Sequence, residues 1–418
     1  MAIIFGTSGD DFPLVGTAGD DEIYGLEGND GLGGQDGNDL LDGGDGNDSM
    51  NGGNGNDILL GGAGDDFMRG GFGDDYHDGG EGFDRVSFFD GLAGVMVDLG
   101  IQGVAQDTGL GMDTLMDIEH VSGTAFDDIL TGDGNANWLW GSSGGDDVLN
   151  GRDGDDLLSV GAGDHLLDGG AGVDTASLSG NFGQDISPDG VTVSLLLQGT
   201  AQDTEQGLMT LTGIENLTGS IYADSLTGDG GGNVLAGDGG NDHLGGGGGN
   251  DVLLGDGHIG IVSGNSGSIE TIDDVAIAFG DPGGDDVLAG GKGDDLLNGG
   301  TGSDLLSGGS GSDRFVFGEG SGADAVLDFE KKDVVAILDV AGIDDFGDLT
   351  IVDVGHKDVL VSWGTGDSVL LSGIKAKQLS ADNFAFDEPS ATMFAMSAAF
   401  VAGRGGAEIS LGHDLLML

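Results

Sequence analysis

The chain contains no cysteine, only 4 prolines, and only 11 lysines and arginines among its 418 residues. The absence of cysteine excludes disulfide bonds and thiolate metal sites. The shortage of basic side chains argues against nucleic acid as a partner, because Lys and Arg supply the affinity for phosphate backbones. It disfavours anionic membranes for the same reason. No apolar run reaches the ~18 residues that a transmembrane helix needs, so we expect no transmembrane segment.

Glycine and carboxylate side chains dominate what is present. There are 93 glycines and 75 aspartates and glutamates, and the net charge is −64. A high net charge with few aromatic residues is typical of a disordered chain. The complementary partner for so many carboxylates is a cation, and oxygen ligands without nitrogen or sulfur favour the hard ions Ca²⁺ and Mg²⁺.

A nine-residue repeat argues against disorder. From residue 16 an aspartate recurs at every ninth position, and in seven of the first eight units an apolar residue follows two positions later. The exception is His77, which we interpret as an edge or terminal irregularity rather than a ligand. The same phase returns in three later blocks. A disordered Gly/Asp-rich sequence has no reason to keep this register, so we predict an ordered repeat protein.

Each nonapeptide divides into a six-residue turn and a three-residue strand. Glycine supplies the positive-φ conformations of the turn, and the strand points one apolar side chain inward. Two units form an 18-residue coil, so turns on the same edge lie 18 residues apart. Stacked turns bring carbonyl and carboxylate oxygens into one pocket, which suits Ca²⁺ better than Mg²⁺. One apolar side chain per unit cannot offset ~1–2 kcal/mol of backbone entropy per residue. We therefore expect ion binding to drive folding.

The unit G-G-x-G-x-D-x-U-x, with U apolar, resembles the repeat of RTX proteins, the hemolysin-type calcium-binding family. The resemblance implies an all-β fold, a parallel β-roll solenoid in several blocks with an antiparallel β cap at the C-terminal end, and multiple Ca²⁺ ions. It does not extend to Asn137, Asn233 and His165, which lack the carboxylate. By position, it implies that the metal ligands are Asp21, Asp30, Asp39, Asp48, Asp57, Asp66, Asp75, Asp84, Asp128, Asp147, Asp156, Asp174, Asp224, Asp242, Asp251, Asp286, Asp295, Asp304 and Asp313.

The repeat blocks alternate with other segments. Residues 94–137 and 190–233 repeat each other at a spacing of 96, and their alternating apolar residues predict strands that continue the solenoid. We therefore expect β-roll blocks at 1–84, 123–174, 219–258 and 283–317, β spacers at 85–122 and 175–218, a strand-bearing insert at 259–282, a β cap at 318–387 and a tail at 388–418.

The C-terminal region resembles the end of RTX exoproteins. Alternating strands after Asp313 suit a cap on the open end of a solenoid. Residues 391–402 could form a short helix or remain irregular. Residues 1–5 lack the basic start of a secretory signal peptide. The family resemblance instead implies export by type I secretion machinery through a C-terminal signal in the tail, followed by folding in extracellular Ca²⁺.

The sequence offers no candidate catalytic residues. The seven histidines are scattered and none lies in an H-E-x-x-H motif. Residues 141–145 formally match G-x-S-x-G, but they occupy a roll turn rather than a strand-to-helix elbow. We therefore expect a non-enzymatic secreted protein, extracellular or associated with the cell surface.

Its expected role is structural or adhesive, as a surface-layer, adhesin or biofilm component that contacts copies of itself or a surface glycan. The alternative is a secreted hydrolase or a carbohydrate-binding accessory protein with its site on the spacers. The aromatic candidates for glycan binding are Trp138, Trp140 and Tyr222.

Overall fold

Alternation along the short strands sends one apolar side chain of each unit inward and its neighbours outward. A computed structural model describes residues 1–178, 190–262, 268–272, 283–338, 340–364 and 366–386. Residues 179–189 of the second spacer, most of the insert at 259–282, and the tail with its predicted helix at 391–402 lie outside them. The inward residues form a single core along the solenoid, and Ile23, Leu41 and Leu59 are fully buried in it.

One face of the solenoid is a single sheet of 16 strands, hereafter the large sheet. Its strands pair in parallel and run without interruption past both spacers and the insert. In order, they are β2 (Leu14–Val15), β4 (Gly31–Asp36), β6 (Ser49–Asn54), β8 (Phe67–Phe72), β10 (Arg85–Ser87), β14 (His120–Ser122), β16 (Trp138–Trp140), β18 (Leu157–Ser159), β20 (Thr175–Ser177), β24 (Asn216–Thr218), β26 (Val234–Ala236), β28 (Val252–Leu254), β32 (Leu296–Asn298), β34 (Arg314–Phe317), β36 (Val334–Ile337) and β40 (Phe384–Phe386).

The opposite face is divided into three sheets of seven, six and nine strands. The first contains β1 (Ile3–Phe5), β3 (Glu22–Glu27), β5 (Leu40–Asp45), β7 (Ile58–Ala63), β9 (Tyr76–Glu81), β13 (Met112–Met116) and β12 (Gln106–Asp107). The second contains β11 (Met96–Asp98), β15 (Ile129–Thr131), β17 (Val148–Asp153), β19 (His165–Ala171), β23 (Leu208–Thr212) and β22 (Gln202–Asp203). The third contains β21 (Thr192–Ser194), β25 (Ser225–Thr227), β27 (His243–Gly248), β31 (Val287–Lys292), β33 (Leu305–Ser310), β35 (Ala323–Val326), β39 (Asp367–Ser372), β38 (Asp358–Trp363) and β37 (Thr350–Val354).

The two spacers cause these divisions. In the first, β13 pairs back onto β9 whereas β11 pairs forward onto β15, so that one enlarged coil ends one sheet and begins the next. The side-chain amide of Gln106 spans the break, since it accepts the Asp98 N–H at 2.8 Å and donates to the Asp98 carbonyl at 3.1 Å. Gln202 makes the same two bonds to Ser194 in the second spacer. The recurring A-Q-D-T sequence thus supplies an amide that replaces a missing strand neighbour.

The outer face of the large sheet carries a second apolar cluster, which the one-sided repeat pattern does not predict. The insert contributes an antiparallel hairpin of β29 (His258–Val262) and β30 (Ser268–Ile272). Ile259 packs into the cluster, and its N–H donates to Thr218 Oγ1 at 3.1 Å. The members of the cluster are Val234, Ala236, Val252, Leu254, Ile259, Leu296, Val316, Ala336 and Leu338.

The C-terminal region continues the roll before it closes it. β35, β36 and β40 pair in parallel with the roll strands, and the antiparallel part of the predicted cap is confined to β37, β38 and β39. Trp363 is buried at this end, with its ring 5.7 Å from that of Phe317. Short 3₁₀ helices complete the described elements at Leu195–Leu197, Phe346–Asp348, Ala376–Gln378 and Ala381–Asn383.

Candidate metal sites in the turns

The turn of residues 52–57 shows how the repeat builds a pocket. Gly53 and Gly55 adopt φ values of 110° and 135°, a backbone region that residues with a side chain rarely enter. A Cβ atom on Gly52 would press against Asp57 Oδ2 and lie 2.7 Å from the Gly70 carbonyl oxygen of the next coil. Two oxygens from adjacent coils therefore converge on a space that only glycine leaves open.

The repeat aspartates form ladders along the edges of the roll. The Asp39 N–H donates to Asp57 Oδ1 at 2.8 Å, and the Asp57 N–H donates to Asp75 Oδ1 at the same distance. The edge predicted to contain Asp21, Asp39, Asp57 and Asp75 is one such ladder, and the other edge links Asp30, Asp48, Asp66 and Asp84 in the same way. Each Oδ1 is thus held by a backbone donor, which fixes the orientation of the carboxylate.

In most of the repeat aspartates the second carboxylate oxygen has no such partner. Asp57 is 1% exposed, and its Oδ2 makes no hydrogen bond. A buried anionic oxygen without a partner is costly unless it is protonated or neutralised by a cation. The same holds for the Oδ2 atoms of Asp30, Asp39, Asp48, Asp57, Asp66, Asp84, Asp147, Asp156, Asp174, Asp242, Asp251, Asp286, Asp295 and Asp324.

The donor set of these pockets fits Ca²⁺. In the described part of the chain, no three or more His, Asp or Glu side chains converge as a metal cluster, so backbone carbonyls must complete any coordination shell. Carboxylate and carbonyl oxygens are the ligands that Ca²⁺ accepts in flexible, high-number geometry. Bound there, the ion would neutralise the paired carboxylates and join adjacent coils.

Burial makes the carboxylates hard to ionise without an ion. It raises the pKa of Asp48 to about 6, that of Asp66 to about 8 and that of Asp242 to about 9, and the backbone hydrogen bond at each carboxylate only partly offsets this. Near neutral pH some turn aspartates of the metal-free roll must therefore be protonated, or their buried charge destabilises the fold.

Three predicted ligands differ because they lie at the start of a stack. Asp21 Oδ2 accepts the Thr17 N–H at 2.5 Å and its hydroxyl at 2.8 Å. Asp128 Oδ2 accepts the Thr124 N–H at 2.7 Å, and Asp224 Oδ2 accepts the N–H of Ser220 at 2.5 Å. Hydrogen bonds from their own loops satisfy these carboxylates. Their requirement for a cation is therefore weaker than that of the interior turns.

In the units without Asp, groups of the protein itself satisfy the side chain that replaces the carboxylate. Asn233 Oδ1 accepts the Asp229 N–H at 2.8 Å, and its Nδ2 donates to the Glu215 carbonyl at 2.7 Å. Asn137 is placed in the same way. His165 Nδ1 lies 3.1 Å from the Asp147 N and its Nε2 lies 3.1 Å from the Gly161 carbonyl oxygen. The Asn233 turn thus keeps two oxygens around its pocket, since Asn233 Oδ1 and the Gly246 carbonyl oxygen converge there, but it has no anionic ligand.

The structure adds ladder members that the strict nine-residue count misses. Three repeat aspartates donate their backbone N–H to such carboxylates: Asp75 to Asp113, Asp304 to Asp324 and Asp313 to Asp333. Glu119 and Glu215 accept from Asp84 and Asp174 where the spacers begin. All five have an apolar residue two positions later, which is the signal that could have identified them. Buried Asp256 also takes a turn position, and Thr301 caps it.

His77 lies inside the roll, between Leu59 and Leu115 of the adjacent coils, and not at an edge. It is 1% exposed, and neither ring nitrogen makes a hydrogen bond of ordinary geometry. Burial lowers the pKa of His77 to about 4, and a backbone group of Thr114 offsets only part of that shift. The imidazole is therefore neutral near pH 7.

A family model described as the RTX calcium-binding nonapeptide repeat (4 copies) matches just over half of the chain. The matched residues are 5–41, 32–59, 51–86, 117–146, 143–176, 211–244, 218–253 and 283–315.

Among solved structures, the crystal structure of the extracellular lipase LipA from Serratia marcescens matches with 19% identity and a TM-score of 0.20. The match covers 62% of this chain and 40% of that one, so the chain spans less than half of the lipase structure. No curated protein shows significant similarity to the chain.

The described residues contain no helix long and apolar enough to cross a membrane. The nonapeptide turns, the parallel roll and the extent of the family match agree with one another. The chain belongs to the RTX calcium-binding nonapeptide repeat family, whose members are typically secreted and whose repeats bind multiple Ca²⁺ ions.

Proposed function

We propose that this chain is an extracellular scaffold that folds when Ca²⁺ fills the interior turns after export by type I secretion machinery. The orphaned Oδ2 atoms of buried aspartates carry this proposal. They recur from the first block of the roll to the last, for example at Asp57, Asp66, Asp147 and Asp286. Without a counter-ion these carboxylates oppose the roll, and with one they join its coils. Residues 388–418, which lie outside the described residues, are the proposed secretion signal.

Far-UV circular dichroism in excess Ca²⁺ and in excess EDTA tests the folding step. We expect a β-rich spectrum with Ca²⁺ and a largely disordered one after chelation, with recovery when Ca²⁺ is restored. Mg²⁺ at the same concentration should restore less structure, because it retains its waters and requires tight octahedral geometry. An unchanged β spectrum in EDTA would contradict the proposal.

A structural role at the cell surface or in the extracellular matrix is the proposed use of this scaffold. The large sheet and its facing sheets contain all of the described strands except β29 and β30, and these strands serve the solenoid rather than a cleft. Negative-stain images of the purified protein with and without Ca²⁺ test this role. Sheets or filaments that form only with Ca²⁺ would support a surface-layer or biofilm component, whereas dispersed particles in both conditions would count against it.

One observation favours carbohydrate binding as the second candidate. On the outer face of the large sheet, the Arg85 guanidinium carbon lies 5.0 Å from the Phe67 ring centre and 5.3 Å from that of Trp140. Trp138 and Trp140 are half-buried there. Sugars stack on such rings and accept hydrogen bonds from arginine. Trp140→Ala should abolish retention on a polysaccharide matrix, whereas Phe72→Ala should not. Equal retention of both variants would exclude this patch.

A further inference from the structure

The pocket of residues 70–75 differs from every turn before it on the same edge. In the turns that begin at Gly34 and Gly52, a Cβ built on the glycine would lie 2.7 Å from a carbonyl oxygen of the next coil. On Gly70 it would press against Asp75 Oδ2 and lie 2.8 Å from His77 Nε2. In this turn, a ring nitrogen is therefore nearer to the glycine than any carbonyl oxygen of the next coil.

The next turn on this edge closes the stack. Thr108 stands where the other units have their first glycine, and its hydroxyl donates to Asp113 Oδ2. Asp113 Oδ1 accepts the Asp75 N–H at 2.9 Å. The turn of residues 108–113 thus satisfies its own carboxylate, and the 70–75 pocket is the last open one of the ladder.

Packing holds the imidazole of His77 in this pocket. The ring fills the inward position that Leu59 and Leu115 occupy in the flanking coils, both of which are fully buried. A neutral imidazole carries one N–H and one lone pair, and both need a partner when they are buried. Ca²⁺ prefers oxygen ligands, whereas Zn²⁺ and its neighbours in the first transition row readily accept imidazole nitrogen together with carboxylate oxygen.

We propose that the 70–75 turn and His77 form a mixed nitrogen–oxygen site for a borderline divalent cation such as Zn²⁺, with His77 Nε2 and Asp75 Oδ2 as its side-chain ligands. Backbone carbonyls of the turn and water complete the shell. The site would fix the end of the first ladder next to the first spacer, with an ion chemically distinct from those of the other turns. This inference rests on the proposed function, because it takes the turns to be cation sites.

The test uses the full chain folded in excess Ca²⁺ and then titrated with Zn²⁺ by calorimetry and with Co²⁺ by visible absorption. We expect one tight Zn²⁺ equivalent and a Co²⁺ d–d band typical of a nitrogen ligand. His77→Leu places the residue of the neighbouring coils in the slot, so it should fold with Ca²⁺ and lose both signals. His356→Gln removes an exposed histidine between β37 and β38 and should retain them.

The outcomes separate the two ideas. The mixed site is refuted if wild type folds with Ca²⁺ but binds no Zn²⁺, or if it binds Zn²⁺ no differently from His77→Leu. The imidazole would then only fill space in the turn. If the β-rich spectrum does not depend on Ca²⁺, the proposed function fails whatever Zn²⁺ does. Many weak Zn²⁺ equivalents in both proteins would also overturn the site, because they would report general exchange with Ca²⁺.

Discussion

Replacing Asp57 with asparagine removes an ion ligand while keeping the shape of the turn. The new side-chain amide can still accept the Asp39 N–H through its oxygen, but it presents no anionic oxygen to the pocket shared with Gly70. An ion held at a free Ca²⁺ concentration a hundredfold above its Kd stabilises a fold by about 2.7 kcal/mol. Losing that ion should lower the free energy of unfolding by about this amount. The loss of stability should be largest in the adjacent coils, because each coil contacts only its neighbours.

Asp128→Asn is the matched control, because Thr124 already satisfies the Oδ2 atom of that carboxylate. We expect it to cost about 1 kcal/mol, the value of one ordinary hydrogen bond. Calcium titrations followed by circular dichroism, together with Ca²⁺ counts on the folded proteins, compare the two variants. Asp57→Asn should bind at least one ion fewer and fold at higher Ca²⁺, whereas Asp128→Asn should retain the wild-type count. Equal counts in wild type and Asp57→Asn would refute the assignment of orphaned oxygens as ligands.

Three further predictions concern the turns and the spacers. Burial raises the pKa of Asp48 to about 6 and that of Asp242 to about 9 in the metal-free roll, above the ordinary value of about 3.9. Their protonated forms therefore favour folding below about pH 4, and this support is lost as the pH rises through about 6 to 9. Circular dichroism in EDTA should show β structure decreasing with rising pH, and a flat profile would contradict the reasoning. Asn137→Asp should leave the Ca²⁺ count of the folded protein unchanged, because the oxygen that faces this turn already accepts the Asp133 N–H, as in the Asp128 turn; an added ion would disprove this. Gln106→Ala should lower the free energy of unfolding of the roll by about 1–3 kcal/mol, because it leaves the Asp98 N–H without a partner and removes one of the two donors to the Asp98 carbonyl. An unchanged midpoint of unfolding in an EDTA titration followed by circular dichroism would show that the amide does not join the two sheets.

The repeat itself could be predicted from the sequence because its rules are local and recur. An Asp every nine residues and an apolar residue two positions later place Asp57 at a turn edge and Leu59 in the core, and the structure shows both there. The same D-x-U signal, without the strict count, would also have identified Asp113 and Asp324. Insertions of a few residues hide such members from a fixed period but do not remove them from the ladder.

The position of a carboxylate within its stack could not be predicted in this way. Asp57 and Asp128 stand in equivalent repeat positions, yet one has an orphaned oxygen and the other a threonine donor. The difference depends on which coil lies next in space, and that neighbour can be 18 or 44 residues away along the chain. No nine-residue window contains this information.

The sequence by itself determined the solenoid, its two edges, its thin apolar core and its calcium-binding repeats, because each of these follows from one short unit repeated in phase. Only the tertiary structure decided where the facing sheet divides, which amide bridges the division, which turns are closed by their own hydroxyl or N–H groups, and that His77 points into the 70–75 turn. These outcomes are contacts between distant coils, and they depend on which segments the solenoid stacks together.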